Sequence, residues 1–436
     1  MTIEHSMRAL AREIFLHALA EANIERAFEH HLDYQRGVLR VGDDLYDLNT
    51  CARVLVVSFG KAAHRMAEIL ARQAGSSLGG IIADPNQHPY QLPGYRYFQG
   101  GHPQPNEESV RAAEAILKSL NALNEQSLAI FLISGGGSAA VEKPADPEIS
   151  IPDLIATYRT LVLSGAPIAQ INAVRKHLSA TKGGRMAQAA RGARQVSVLV
   201  SDVPENALDS LSSGPTMPDS TTVDDCYRIV QEYEMLRDFP ASVRELFERR
   251  ALEETPKQND SAFAHSRWWK ILSNETAENA AASAAVQQGF AVDIDHSCDD
   301  WDYAKAADYL LDRLRIMRAG VSKACIVSGG EVTVKVPANS GQGGRNQHFA
   351  AYCAQKISGE SIAVLSAGTD GIDGNSPAAG AVADGSTLQR AREAGVDLIA
   401  EFRAFNTYPA FEKLGDTIQT GPTGNNVRDL RILLAY

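Results

Sequence analysis

Residues 128–138, LAIFLISGGGS, carry six consecutive apolar side chains into Ser134, then Gly135, Gly136, Gly137 and Ser138. An unbroken apolar run of this length suits a strand covered on both faces, as in a parallel sheet flanked by helices. Three glycines directly after it let the backbone come close to an anion and present its N–H groups, and a following helix adds the positive end of its dipole. A plain tight turn has the same composition, so the neighbours of this motif matter. Gly60-Lys61 follows RVLVVSF (53–59), Ser212-Ser213-Gly214-Pro215-Thr216 follows VSVLVSD (196–202), and Gly341-Gln342-Gly343-Gly344-Arg345-Asn346 lies past EVTVKV (331–336). Glycine turns near strand ends, two of them carrying a cation, point to one composite anion site in an α/β protein whose ligand is phosphorylated or carboxylated.

Strand-length apolar segments alternate with amphipathic segments of helix length: RVLVVSF with KAAHRMAEILARQ, LAIFLIS with IPDLIATYRTLVLSG, VSVLVSD with VDDCYRIVQEYEML. That is the pattern of βαβ units on a mostly parallel sheet. Asn106-Glu107-Glu108 reads as a helix cap with an acidic first turn. A polar, aperiodic stretch near 250–267 marks the approach to a domain boundary, which divides the chain into 1–255 and 256–436. Beyond it the alternation restarts with WWKILSN and continues to SIAVLSAGTDG, and a hairpin expected at Ser328-Gly329-Gly330-Glu331 makes the second sheet mixed. The first ~45 residues, with the helical REIFLHALAEANIERAFEHHL, could pack against either domain.

The chain has 436 residues, of which 44% are hydrophobic and 22% charged. It is too long for one ordinary core and is expected to form two domains. A formal charge of −11 argues against a nucleic-acid surface, so any anion site is a local concentration of cations and N–H groups. No apolar run reaches the ~18 residues that span a bilayer, and the acidic, histidine-containing start does not resemble a signal peptide, so a cytoplasmic location is expected. Five scattered cysteines without a CxxC pair disfavour both a disulfide framework and a zinc site.

Several residues are candidates for chemistry. Lys61 stands at a strand's C-terminal end, where α/β sheets place ligand-binding groups, although it also suits a solvated first helical position. Arg175, Lys176, His177, Lys182 and Arg185 crowd into NAVRKHLSATKGGR of an acidic chain, either as a solvated face or as cations turned to a ligand. Asp202 ends a buried-looking strand, and Asp370 and Asp373 sit in TDGIDG; each carboxylate could hold Mg²⁺, accept a proton, or cap a turn. Arg345 begins a helix, a place unfavourable to a cation unless an anion joins it. His102 could act as acid or base or hold a structural turn. The P-loop, GxGxxG, GxSxG and HExxH motifs are all absent, which sets aside P-loop chemistry, the usual dinucleotide fold, and serine or zinc hydrolysis.

Together SFGKAAHRMA, LISGGGSAA, INAVRKHLSATKGGRMA, SDVPENALDSLSSGPTMPD, SGGEVTVKV, GQGGRNQHFAA, LSAGTDGIDGNSPAAGAVADG and TGPTGNNVRDL resemble, in order, the class II glycerate kinases, the glycerate 2-kinase family with a C-terminal MOFRL domain. The resemblance runs from about residue 50 to the C-terminus. It implies two three-layer α/β/α domains, the first Rossmann-like with a mostly parallel sheet and the second with a mixed sheet, and an active site in the interdomain cleft. It further implies that ATP phosphorylates D-glycerate at the 2-hydroxyl with Mg²⁺ assisting, and that Lys61 and Arg345 are the catalytic pair. On this reading Ser134, Gly135, Gly136, Gly137, Ser138, Ser213 and Gly214 cradle phosphate, and Gly344 and Asn346 bind phosphate or substrate beside Arg345. Arg175, Lys176 or Lys182 grips the carboxylate, and Asp202, Asp370 or Asp373 is metal ligand or base. Two positions depart from the family pattern: Asn425 replaces the threonine of TGPTGTNV, and Asn406-Thr407 stands where an Asn-Asp pair is frequent. The expected partners are small molecules, with neither nucleic acid nor membrane, in a monomer or homodimer. The rival readings are an NAD(P)H-dependent hydroxypyruvate reductase, a kinase of a longer sugar acid, and a non-catalytic binder of acidic metabolites.

Overall fold

The computed structural model describes residues 3–75 and 78–436. Its contacts divide the chain into two compact units, one of Ala27–Ile271 and the other of Leu272–Tyr436 together with the residues up to Arg26.

In the first unit, LAIFLIS forms the strand Ser127–Ser134, every residue of which is buried. It pairs in parallel with Arg53–Phe59 on one side and Arg194–Val200 on the other. The full order across the sheet is Tyr95–Phe98, Gly80–Ala83, Arg53–Phe59, Ser127–Ser134, Arg194–Val200, Ser266–Leu272. Numbered along the chain this is 3-2-1-4-5-6, the order of the doubly wound dinucleotide folds. The direction of winding therefore reverses between Arg53–Phe59 and Ser127–Ser134, and the two glycine turns Gly60-Lys61 and Gly135–Gly137 flank that reversal. Ala63–Ala74 and Glu107–Asn121 pack on the sheet, whereas Ile151–Leu163 and Val223–Glu232, expected from the alternation to cover it as well, pack mainly on other helices. Ala63–Ala74 buries Met66, Ala67, Ile69 and Leu70, and Glu107–Asn121 opens with the Asn106 cap, whose side chain accepts from the Ser109 N–H at 2.8 Å. The helices Ile151–Leu163, Ile168–Leu178, Val223–Glu232 and Ala241–Glu248 contribute to a second apolar cluster around Leu161, Val174, Ile229 and Phe247.

Three short antiparallel strands, Leu32–Gln35, Val38–Val41 and Asp44–Asp47, form a small sheet that the alternation does not reveal. Arg36 and Gly37 turn the first hairpin with φ of 52° and 87°. That is the pair of left-handed residues a two-residue hairpin wants, here without the usual Asn-Gly signal.

WWKILSN does not open the second domain. It lies largely in Ser266–Leu272, the last strand of the first sheet: the Gln195 N–H donates to the His265 carbonyl at 2.9 Å, Trp268 Nε1 to the Thr216 carbonyl at 2.9 Å, and Trp269 Nε1 to Asp44 at 3.0 Å. The units thus divide after Ile271 rather than after residue 255, because the polar stretch is a loop leading into one more strand.

The second unit has a mixed sheet ordered Ala291–Ile294, Ala324–Gly329, Asp429–Ala435, Ile362–Gly368, Gly380–Asp384, Thr417–Ile418. The hairpin expected at Ser328–Glu331 is not what mixes it. EVTVKV forms no strand beyond a single bridge from Thr333 to Asp302. The last strand, Asp429–Ala435, instead inserts between Ala324–Gly329 and Ile362–Gly368 and runs antiparallel to both. The N-terminal helix Ile3–Glu21 belongs to this unit and packs on helix Asn274–Gln287 and strand Ile362–Gly368. Its buried Met7, Ile14 and Phe15 contribute about 1.5–3 kcal/mol each. Arg8 pairs with Asp384, and Arg12 donates to the Thr417 carbonyl at 2.8 Å. Asn425, one of the departures from the family pattern, donates to the Ala22 carbonyl at 2.5 Å, so it anchors the end of this N-terminal segment.

Candidate active site

Open α/β sheets bind ligands beyond the carboxyl ends of their strands, at the point where the winding reverses. In the first unit that point is closely knit. The Lys61 N–H donates to the Gly135 carbonyl at 2.9 Å, and the Ala62 N–H to Ser134 Oγ at 3.1 Å, so the two glycine turns are stitched together. Side chains from further segments close around them. A Cβ on Gly135 would sit 1.8 Å from an Asp202 carboxylate oxygen, and one on Gly137 would sit 2.3 Å from Ser212 Oγ. At Gly136, where φ is +82°, it would meet His102 and the Lys61 side chain at 3.0 and 3.1 Å. The glycines therefore admit Lys61, His102, Asp202 and Ser212 to one backbone loop. Lys61 is exposed, and burial together with Lys61 lowers the pKa of His102, which favours its neutral form.

The Ser212-Ser213-Gly214 segment lies against the same loop. Ser212 Oγ donates to the Ser134 carbonyl at 2.9 Å, and the hydroxyls of Ser213 and Ser138 are 2.8 Å apart. Ser212 and Ser213 both hold left-handed backbone angles, with φ of 50° and 61°, a conformation that costs a non-glycine residue about 1–2 kcal/mol. Gly183 and Gly184 hold the segment through N–H bonds to the Ser213 and Gly214 carbonyls at 3.0 and 2.7 Å.

The cation cluster of NAVRKHLSATKGGR separates into different roles. Lys176 is buried and bonds Asp209 at 2.9 Å and Asp219 at 3.2 Å. Lys182 is buried against Glu142 and donates to the Ser138 carbonyl at 2.8 Å. Burial lowers its pKa, with Glu142 acting in the opposite direction. These two cations hold the loop in shape, and their ammonium groups are occupied by the protein's own acceptors. Arg175 differs: its guanidinium lies 4.9 Å from the Tyr158 ring centroid and its Nε has no hydrogen-bond partner. Arg185 reaches the Glu253 carbonyl at 3.2 Å.

In the second unit Arg345 opens helix Arg345–Lys356. The anion expected at that helix start is supplied by the protein itself. Asp373, almost wholly buried, accepts from the backbone N–H groups of Asn346 at 3.1 Å and Gln347 at 2.9 Å. A Cβ on Gly344 would lie 2.2 Å from Asp373, and the Asn346 amide bonds Asp373 at 3.3 Å and Ser366 at 2.6 Å. Gly344, Asn346 and Asp373 thus build the helix cap. Burial pushes the Asp373 carboxyl up to about 6, and Asp429 adds to the shift against the pull of the hydrogen bonds.

Arg345 itself forks onto Asp429 at 2.6 and 3.1 Å and meets Glu331 at 2.7 Å. Burial opposes its charge, but Asp429 and Glu331 outweigh that and raise its pKa. Asp370 receives the Ile372 N–H at 3.1 Å in an Asx turn. Asn406 Oδ1 accepts from the Gln342 N–H at 2.9 Å and so fixes the turn leading into GGRN. A cavity of about 530 Å³ opens beside Arg345 and Glu331.

Sequence reasoning missed the acidic partners Glu142, Asp209, Asp219, Glu331 and Asp429, because none lies within a helical turn of the cation it meets and the fold alone brings them together. Among the described residues no group of three or more His, Cys, Asp or Glu side chains is arranged to hold a metal ion.

Residues 10–248 match the family described as "Domain of unknown function (DUF4147)", and residues 324–429 match the MOFRL family. A relative from Pyrococcus horikoshii named glycerate 2-kinase is 35% identical, over 97% of this chain and 97% of its own. The chain belongs to the glycerate 2-kinase family. Within that family, the crystal structure of a glycerate kinase from Thermotoga maritima covers 99% of this chain and 100% of its own, at 32% identity and a TM-score of 0.85. A relative from Agrobacterium vitis, 35% identical over 98% of this chain and 94% of its own, is provisionally named a hydroxypyruvate reductase. The Rossmann-like strand order and the mixed sheet are thus those of a glycerate kinase fold, and Lys61 and Arg345 fall one in each matched region.

Proposed function

We propose that the protein transfers the γ-phosphoryl group of ATP to the 2-hydroxyl of D-glycerate, giving 2-phosphoglycerate and ADP. The observation that carries this reading is the exposed Lys61 beside a glycine-lined loop at the reversal point of the parallel sheet. Phosphoryl transfer asks a protein for alignment and for positive charge around the moving group. Lys61 and the backbone of Gly135–Ser138 would receive phosphate oxygens, with Ser213 and Gly214 fixing the loop's shape. Arg345 would act on the same phosphoryl group, its charge held in place by Asp429 and Glu331. Arg175 is the cation best suited to the glycerate carboxylate, since Lys176 and Lys182 are occupied by carboxylates. Asp202, at the edge of the Gly135 turn, would either take the hydroxyl proton or hold Mg²⁺.

Mg²⁺ fits this donor set as an ion carried mainly by phosphate oxygens and water, with one or two carboxylates such as Asp202, the usual way proteins hold it beside a nucleotide. When bound it would offset charge on the phosphates. A cytoplasmic location is part of the proposal and accords with five free thiols. No described helix is long and apolar enough to cross a membrane.

The test is incubation with ATP, Mg²⁺ and D-glycerate, coupled to enolase and pyruvate kinase without phosphoglycerate mutase. A signal is expected, because only 2-phosphoglycerate feeds enolase directly. ADP release without an enolase signal would contradict the 2-position. NADH oxidation with hydroxypyruvate, and no ADP from any sugar acid, would replace the kinase with the reductase.

A further inference from the structure

The cavity beside Arg345 contains a group that neither the fold nor phosphate chemistry explains. His348, one turn along helix Arg345–Lys356, lines the cavity and is 2% exposed. Its ring is stacked between Phe402 and Phe405, with centroids 4.1 and 4.2 Å away and interplanar angles of 16° and 9°, and Tyr303 meets it edge-on at 4.7 Å. Phenyl rings cover both faces, so the polar edge of the imidazole is what remains for a ligand. Neither ring nitrogen has a hydrogen-bond partner in the structure. Burial brings the His348 pKa down to about 4, with Asp302 the charged group acting against it, so the ring is neutral and presents one donor and one acceptor. Leaving both unpaired in a buried site is costly and unusual.

The remaining walls narrow the choice of ligand. Val332, Val334, Val336 and Phe405 make much of the lining apolar. The charged lining residues are Asp300, Glu331 and Arg345, two acids against one cation, so the walls away from Arg345 offer no positive charge to an anionic ligand. About 530 Å³ lies within the range of pockets for drug-sized ligands and is far more than a three-carbon acid fills. An uncharged, flat, heteroaromatic group with a donor and an acceptor on one edge suits these walls.

We propose that this cavity receives the nucleoside end of the phosphoryl donor, its purine edge hydrogen-bonded to the imidazole of His348. The identity of the donor rests on the kinase reading above. The cavity itself can be probed with adenosine, which carries no phosphate.

The experiment uses the full-length protein, its Val336→Trp variant, and the pair His348→Gln and His348→Leu. Val336 is 62% exposed, so a tryptophan there obstructs the cavity without entering the core. Calorimetric titration should show adenosine binding to the unaltered protein, and V336W should weaken it at least tenfold. In the coupled assay V336W should raise the KM for ATP at least tenfold while kcat and the KM for glycerate stay within twofold. His348→Gln, which keeps one donor and one acceptor, should bind adenosine more tightly than His348→Leu, with thermal melts confirming that both fold. Turnover by the unaltered protein with the KM for ATP unchanged in V336W and in H348L would overturn the cavity assignment and leave the kinase standing. Adenosine binding that V336W abolishes, in a protein without kinase turnover, would keep the nucleoside site and refute the kinase.

Discussion

Lys61 and Arg345 occupy matching places, each one residue after a glycine at the entry to a helix, yet their surroundings are opposite. Lys61 is exposed beside a bare glycine loop, whereas Arg345 is held by a bidentate Asp429 and by Glu331. The difference shows that position in the sequence marks where a cation belongs, while its partners decide what it can do. An exposed ammonium can be turned toward a ligand at little cost to the fold. A guanidinium already paired with two carboxylates is rigid and precisely oriented, and removing it leaves buried negative charge behind.

The sharpest way to break this comparison is to remove each cation in turn. Lys61→Ala should lower kcat by about 10³-fold with the thermal midpoint unchanged within ~2 °C, since one group stabilising transferred charge is worth this much and an exposed side chain carries little stability. Arg345→Ala should lower kcat by about 10²–10³-fold and also destabilise the protein by about 1–3 kcal/mol, because the buried Asp429 loses its partner while solvent screens the half-buried Glu331. Steady-state kinetics and denaturant unfolding on both variants separate the two cases. Equal loss of stability in both would erase the distinction.

A third substitution sharpens the account of the loop. Lys182→Ala should cost about 3–5 kcal/mol in urea unfolding, because Glu142 is left buried and uncompensated, whereas replacing both residues by apolar ones of similar volume should restore most of it. The smallest effect concerns pH. The Asp373 carboxyl titrates near 6 when folded against 3.8 for the ordinary group. Between these values the folded protein binds a proton the unfolded chain has lost, so its contribution to stability falls as pH rises from about 4 to 6, by at most on the order of 3 kcal/mol. Thermal midpoints at pH 4.5 and pH 7 should show that slope reduced in Asp373→Asn.

These contrasts also explain how far the sequence could be read. LAIFLISGGGS and RVLVVSFGK were legible because a doubly covered parallel strand leaves an unbroken apolar run, and a loop that admits Asp202, His102 and Ser212 against its backbone requires glycine. The mixed character of the second sheet was expected, but its cause was misplaced: Asp429–Ala435 takes its central position through a pairing over a hundred residues distant from Ala324–Gly329. Ser266–Leu272 was assigned to the wrong side of the boundary, since a polar loop before a strand looks the same whether the strand closes one sheet or opens another. The charge cluster at 172–185 reads as a solvated face or as cations turned to a ligand, and spacing on a helix cannot show that Asp209, Asp219 and Glu142 will meet Lys176 and Lys182. His348 left no signal at all, because Phe402 and Phe405 reach it from a different helix and the turn after it.

The measurement that tests the account most directly is ³¹P NMR of ATP, Mg²⁺ and D-glycerate incubated with the unaltered protein and, side by side, with Lys61→Ala. The account predicts that ATP declines while ADP and the phosphomonoester of 2-phosphoglycerate appear with the unaltered protein, and that both products are nearly absent with the variant over the same time. A 3-phosphoglycerate resonance, or equal conversion by the two proteins, would contradict it.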